Sequence, residues 1–260
     1  MSNASSLLSA RPELADRLAE ITPLTLARDR ILPVDEHLHP LVRGPGLQRG
    51  TSVAVQGSSG ALSLTFALLA EAAQQGSWVA VVGGSWLGLG ATVELGVPIE
   101  RLVLVEQVAP TLWPSVVAAL LDGFDIVVCA QPDRIGARDS RQLIARTRER
   151  SGLLVRVGGA PWGDAADLRF DVAPADWGGI GVGHGHVNSR LVSVTAAGRR
   201  GATRPQRHLL WLPDSIGICR LAERGEWATP DPAPRHAGSD IDCLLAADDA
   251  DASEAASERC

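Results

Sequence analysis

The chain has 260 residues, 45% of them hydrophobic, and a formal net charge of −6, which is enough to bury one sizeable core in a main α/β domain with attachments. All 24 basic residues are Arg, so the chain has no Lys ammonium to set against the β- and γ-phosphates of a nucleotide, as a Walker-type loop does. Four cysteines, Cys129, Cys219, Cys243 and Cys260, are scattered singly without a CxxC pair. That pattern predicts no zinc framework and a reduced, cytoplasmic protein, and the absence of a long apolar run predicts no membrane span or secretory leader.

In chain order, Ser6 to Ile21 places Leu7, Leu8, Leu14, Leu18 and Ile21 near helical spacing and reads as an amphipathic helix, with Leu7, Leu14, Leu18 and Ile21 as a candidate docking face. Residues 1–30 form this N-terminal helical segment, and a connector punctuated by Pro23, Pro33, Pro40 and Pro45 leads onward. From Thr51 the pattern becomes repeated βα units. TSVAVQ, SWVAVVGG, RLVLVE, DIVVCAQ and GLLVRVGG are predicted strands; LSLTFALLAEAAQQ, LGLGATVELGV, TLWPSVVAALLDG and SRQLIARTRERS are the helices between them. Several strands are continuously apolar, as a parallel sheet covered on both faces requires. After Pro161 the segments shorten and alternate: RLVSVTA, RHLLWLP and SIGICRLA suit antiparallel strands at the end of the sheet.

These elements define an α/β domain over residues 31–226. Residues 227–260 form an acidic tail too poor in apolar residues to order itself, apart from a short candidate docking segment, Ile241 to Leu245. Seven acidic residues lie after Gly238, leaving 23 carboxylates against 23 Arg in residues 1–238. The net charge therefore resides in the tail.

The stretch VAVQGSSGALSLTFALLAEA, Val53 to Ala72, has the outline of a phosphate-binding loop: apolar strand, Gly/Ser turn, long apolar helix. Laying GxxxxGK[ST] on it with Gly60 as the second Gly puts Val55 at the first Gly, Ala61 at the Lys and Leu62 at the hydroxyl residue. The register through Gly57 puts Ser52 and Ser58 at the first Gly and the Lys, and fits no better. The remaining loop, Gly57, Ser58, Ser59 and Gly60, offers backbone N–H groups at a helix N-terminus. With no fixed cation and no hydroxyl for Mg²⁺, its expected role is a compact strand-to-helix turn.

The surrounding residues carry a resemblance. SSGALSLTFALLAEA, WVAVVGGSWLGLGATVELGVPIERLVLVEQ and LLDGFDIVVCAQPD resemble, in order, the core of RecA-type recombinases. The chain is most similar to the RecA-like accessory proteins called ImuA, in particular the actinobacterial ImuA-prime branch, which shares PGLQRG (Pro45 to Gly50) and the late AAGRRGATRPQRHLLWLP. The resemblance spans residues 30 to 215 and rests on the order and spacing of soft motifs. It implies that Ala61 and Leu62 stand in the Lys and Thr slots, that Gly84, counted back from Leu95-Gly96-Val97, stands where the catalytic Glu would be, and that Cys129 replaces the magnesium-linked Asp. Four parts of one phosphoryl-transfer mechanism are then missing together. Asp125 and Asp133 flank the fourth strand of the βα series, and neither is a substitute.

Other constellations are weaker. His37/His39 and His184/His186, with Asp35 or Glu36 nearby, form HxH pairs on segments that read as loops, so no metal site is expected. Arg134, Arg138, Arg141, Arg146, Arg148, Arg150 and Arg156 make the densest basic stretch, mostly on one predicted helix. Arg199, Arg200, Arg204 and Arg207 lie in a loop between late strands. Arg138, Arg141, Arg148, Arg199, Arg200, Arg204 and Arg207 are the candidate contacts for a partner or for DNA. No aromatic residue is interleaved with them for base stacking, which favours a protein partner. Trp86 follows the second βα strand and Trp113 opens a helix; both are expected at or near the core.

The expected fold is a RecA-like parallel-sheet core with crossover helices, antiparallel strands at the C-terminal edge, an N-terminal helix and a disordered acidic tail. The resemblance implies an adaptor without enzymatic activity or cofactor in damage-induced translesion synthesis. Its implied partners are an ImuB-type polymerase homologue and an error-prone replicative-type DNA polymerase, with RecA a further candidate. The alternatives are a diverged RecA/KaiC-type ATPase and a single-strand DNA-binding protein.

Overall fold

The computed structural model describes residues 30–223 other than 58, 85–86, 131–134, 159–165, 182–183 and 199–203, together with residue 226. The docking face Leu7, Leu14, Leu18 and Ile21, the tail from residue 227, and Ser58, Trp86, Arg199 and Arg200 lie outside the described residues. A compact unit extends up to Ala222, and a second begins at Glu223. Among the described residues no helix is long and apolar enough to cross a membrane.

Where a Pro-rich connector is expected, the chain pairs β1 (Ile31–Pro33) with β2 (Gly46–Gln48) in a small antiparallel sheet, around a 3₁₀ turn and a four-residue helix α1 (His39–Val42). Leu32, Val34, Leu38, Leu41 and Leu47 of this segment are buried in the main core. The prolines punctuate it without preventing its packing.

The main sheet consists of β3 (Thr51–Gln56), β4 (Val79–Val82), β5 (Leu102–Val105), β6 (Ile126–Cys129), β7 (Leu153–Val157), β8 (Leu168–Gly181), β9 (His184–Gly198), β10 (Gln206–Trp211) and β11 (Arg220–Leu221). Its spatial order is β11-β10-β9-β8-β3-β7-β6-β4-β5. The six strands from β8 to β5 run parallel, and β9, β10 and β11 close the other end antiparallel. This is the expected mixed α/β architecture, consistent with a RecA-like fold, with the loop-bearing strand β3 inside the sheet between β7 and β8.

Strand alternation divides the interior into two layers. Val53, Val55, Ile126, Val128, Leu153 and Val155 join α2 (Ala61–Gln74) and the N-terminal segment on one face; Val127, Cys129 and Leu154 meet α4 (Trp113–Gly123) and α5 (Ala137–Glu149) on the other. α2 has neither Gly nor Pro and buries ten of its 14 residues, so its apolar character runs most of the way round, as a helix embedded in the core requires. α4 buries Trp113, Val117 and Leu121 at four-residue spacing, and α5 buries Ser140, Leu143, Ile144 and Thr147 with its arginines outward. Between β4 and β5 the short α3 (Leu89–Glu94) buries only Thr92.

Two late expectations change. RLVSVTA is the end of the 15-residue β9, whose 14-residue partner β8 has no clean alternation in the sequence because register shifts at Pro174/Asp176 and Gly178/Ile180 interrupt it. SIGICRLA is mostly a turn and contributes only Arg220 and Leu221 as a strand.

Candidate functional site

The loop after β3 sits at the carboxyl end of the parallel strands, the edge where open α/β sheets place ligands. Gly57 has φ +145°, and a Cβ there would lie 2.2 Å from the Val172 carbonyl oxygen of β8. Gly60 has φ +89° and lies against Val172, Val192 and Leu212, so the turn is folded onto the β8–β9 ribbon and both positions require glycine. α2 starts without a side-chain cap; its first turn closes through Leu64 N–H to Gly60 O at 2.8 Å.

The positions that would hold a triphosphate are apolar and turn inward. Ala61 is 6% exposed within the core, and Leu62 packs against that core while partly exposed. Two hydroxyls follow along the helix: Ser63, one residue past the slot, is half-buried, and Thr65 Oγ1 is buried and donates to the Ala61 carbonyl at 2.9 Å. Ser59 and Gly60 are half-buried. Gly84 is buried, and a side chain there would start 3.0 Å from Val81 Cγ1. Cys129 is 3% exposed among Trp113, Leu143 and other apolar side chains, and burial pushes its thiol strongly up against the opposing pull of Arg156. No chemistry that needs a thiolate fits there.

Arg156 belonged, by sequence, to the basic stretch. The register instead puts it in mid-sheet, opposite Cys129 of β6 and Ala54 of β3, and only 7% exposed. The signal was an Arg inside the apolar run LLVRV, which a solvated basic surface does not explain. The rest of the stretch also divides. Arg146 and Arg150 bind Asp122 at the end of α4, which holds that carboxyl below its ordinary range, chiefly through the Arg146 hydrogen bond. Arg148 reaches Asp167 at 3.5 Å, while Arg138 and Arg141 are exposed and make no salt bridge among the described residues. In the second group, Arg204 is exposed and its carbonyl accepts from Arg43, and Arg207 donates from Nε to Ser193 Oγ at 2.6 Å.

His37 and His39 serve local structure. His37 Nδ1 lies 2.8 Å from Asp35 Oδ1, and His39 Nε2 lies 2.9 Å from the Val34 carbonyl. His184 and His186 lie on β9, so the loop expected for GHGH is a strand. Among the described residues no group of three His, Cys, Asp or Glu comes together as a metal would need. Asp125 is structural: it accepts from Arg49 at 2.8 Å and from Trp78 N–H at 3.0 Å, at the end of β6 away from the loop. Asp133 lies outside the described residues.

Sequence reasoning missed Asp214. Its Oδ1 accepts the N–H groups of Ile216 and Ile218 at 3.0 and 2.9 Å, and its Oδ2 accepts from Arg220 Nε at 2.9 Å. Burial opposes ionisation, yet the Ile218 N–H, Arg220 and Ile216 N–H together hold the carboxyl below its ordinary range. This wiring fixes a turn on which Ile216 is 77% exposed.

Comparison with known proteins gives two matches. The family model of the MT3502 N-terminal domain matches residues 40–164, which include the degenerate loop and β3 to β7. The chain is also similar to the uncharacterized protein Rv3395c of Mycobacterium tuberculosis (strain ATCC 25618 / H37Rv), with 31% identity over 148 residues, covering 54% of this chain and 72% of the relative.

Proposed function

The chain belongs to the family of Rv3395c, and from that premise we propose that it is a non-enzymatic, RecA-like adaptor of the ImuA kind. In this reading it joins a translesion-synthesis assembly by recognising an ImuB-type polymerase homologue and helping to recruit an error-prone polymerase. The observation that carries the reading is the apolar phosphate loop, in which Ala61 is buried in the core and Leu62 packs against it. A triphosphate leaving water for this turn would meet no Lys charge and no hydroxyl in the metal-binding slot, so backbone N–H groups and neutral serines would have to offset its desolvation.

The inward-facing apolar residues argue for a fold retained as a scaffold, with function moved to the surface. Isothermal titration of the full chain with ATP and Mg²⁺ tests this. No heat of binding is expected at nucleotide concentrations up to about 1 mM, whereas a Kd below about 100 μM would favour a diverged ATPase. The positive arm is co-purification: the adaptor reading requires a stoichiometric complex with the polymerase homologue.

A further inference from the structure

The surface beside the Asp214 turn combines features that point to a binding role. Ala67 and Ala70 of α2, with Leu38, Leu95 and Ile218, line a groove of about 240 Å³. Asp35, Glu71 and Glu94 stand on its rim, and no Arg lines it. Among the described residues these three carboxylates have no arginine partner: Asp35 holds His37, and Glu71 accepts from Gln75. The two elements that contribute Glu94 and Ile218 to the groove also carry exposed large apolar side chains, Leu89 and Val93 one helical turn apart on α3, and Ile216 on the turn beside the lining Ile218.

We infer that this acidic-rimmed groove is the docking surface for a basic amphipathic helix of a partner protein. The inference rests on the adaptor reading and names the surface that reading needs. An isoleucine that is 77% exposed would normally belong to a loose loop. Ile216 is instead fixed by N–H bonds from both Ile216 and Ile218 to the Asp214 carboxylate, and by Asp214 N–H to the Ile218 carbonyl at 2.8 Å. An apolar anchor fixed before binding loses little entropy on contact, which is the property of an interface hot spot. The exposed Ile216 and Ile218 take the helix's apolar face, and the carboxylates meet positive side chains along its flanks.

Charge selects the occupant. The chain's own amphipathic stretch, residues 6–21, carries two Arg against three carboxylates, and the region after Gly238 carries seven carboxylates against Arg259 alone. Each would meet the rim with like charge, so a basic external helix fits and the chain's own segments do not.

The test uses the full-length protein and a synthetic helical peptide of about 18 residues with a leucine face and arginine flanks, followed by fluorescence anisotropy. Binding in the micromolar range is expected. It should weaken at least about tenfold in Ile216→Asp and in the double variant Glu71→Arg/Glu94→Arg, and decline as salt rises. All three positions are at the surface, and matching thermal unfolding curves check that the variants fold. No binding, equal binding of a scrambled or glutamate-flanked peptide, or indifference to these variants would overturn the inference. So would competition by a peptide of residues 6–21, or a dimer in sedimentation equilibrium that Ile216→Asp dissolves, since these identify the chain itself as occupant. The two readings fail separately. If the polymerase homologue does not co-purify, the adaptor reading falls; if it co-purifies undisturbed with both variants, only the surface is wrong.

Discussion

Ala61 and Leu62 show how one residue type at one position changes what a loop can do. A Lys at Ala61 would carry an ammonium into a site 6% exposed and walled by apolar side chains. Restoring the motif with Ala61→Lys/Leu62→Thr is therefore expected to cost on the order of 2–4 kcal/mol in urea unfolding, by desolvation and overpacking, and to create no ATP binding by titration. Micromolar ATP affinity in that variant would show that the loop opens more readily than its packing implies. Asp214 is the contrasting case of a buried carboxylate kept charged by its partners. Because its folded pKa lies below the unfolded value of about 3.9, its contribution is present above that pH and is lost as pH falls through the lowered folded value. Asp214→Asn should thus be less stable than wild type at pH 7, by about 1–3 kcal/mol for the disrupted charge-assisted bonds. The difference should shrink below about pH 4, read from denaturation midpoints at several pH values. Both residues differ in legibility. The Lys slot at Ala61 could be read by counting from glycines, whereas Asp214 acquires its role from a turn that folds back on itself, which no spacing announces.

At the scale of elements, apolar runs made the parallel strands legible: β3, β4, β6 and β7 fall inside their predicted segments. A strand buried on both faces needs no alternation and leaves a continuous run. β1 and β2 were hidden by the prolines around them, and β8 by bulges and glycines that interrupt period two. Gly178, for example, lies so close to β9 that a Cβ would sit 2.1 Å from Ser189 Oγ, so what reads as a turn residue is a tight strand contact. Helix burial could be read only in part. α2 is apolar enough to be placed inside from composition alone, but the division of α5's arginines between Asp122, Asp167 and solvent depends on where α4 and the start of β8 arrive. The layering makes a paired prediction. Phe66 in the middle of α2 is fully buried, whereas Leu112 just before α4 is 58% exposed. Phe66→Ala should cost about 3–5 kcal/mol by urea denaturation, and Leu112→Ala should stay within about 0.5 kcal/mol. Equal costs would contradict the placement of the two helices.

Across the whole molecule, the distribution of charge bears on the DNA alternative. Arg204 and Arg207 are exposed beside the β9–β10 connection, and the sequence of that connection adds Arg199 and Arg200. These arginines act within a chain of net charge −6 that has no aromatic residue between them to stack on bases. Each phosphate neutralised on a single strand contributes about 0.7 to the slope of log K against log salt, so four arginines give at most about 3. Affinity supplied only by this term is expected to be weaker than about 10 μM at 150 mM salt, by fluorescence anisotropy with an unstructured oligonucleotide. Arg204→Ala/Arg207→Ala should lower the slope by about 1.4 without changing the preference among sequences. Nanomolar binding, or a slope indifferent to these two arginines, would move nucleic acid from background contact to the centre of what the molecule does. If the adaptor proposal holds, a weak, salt-sensitive interaction whose slope falls in the double variant would leave these arginines able to assist an assembly held near DNA by other members, where a high local concentration can offset a modest affinity.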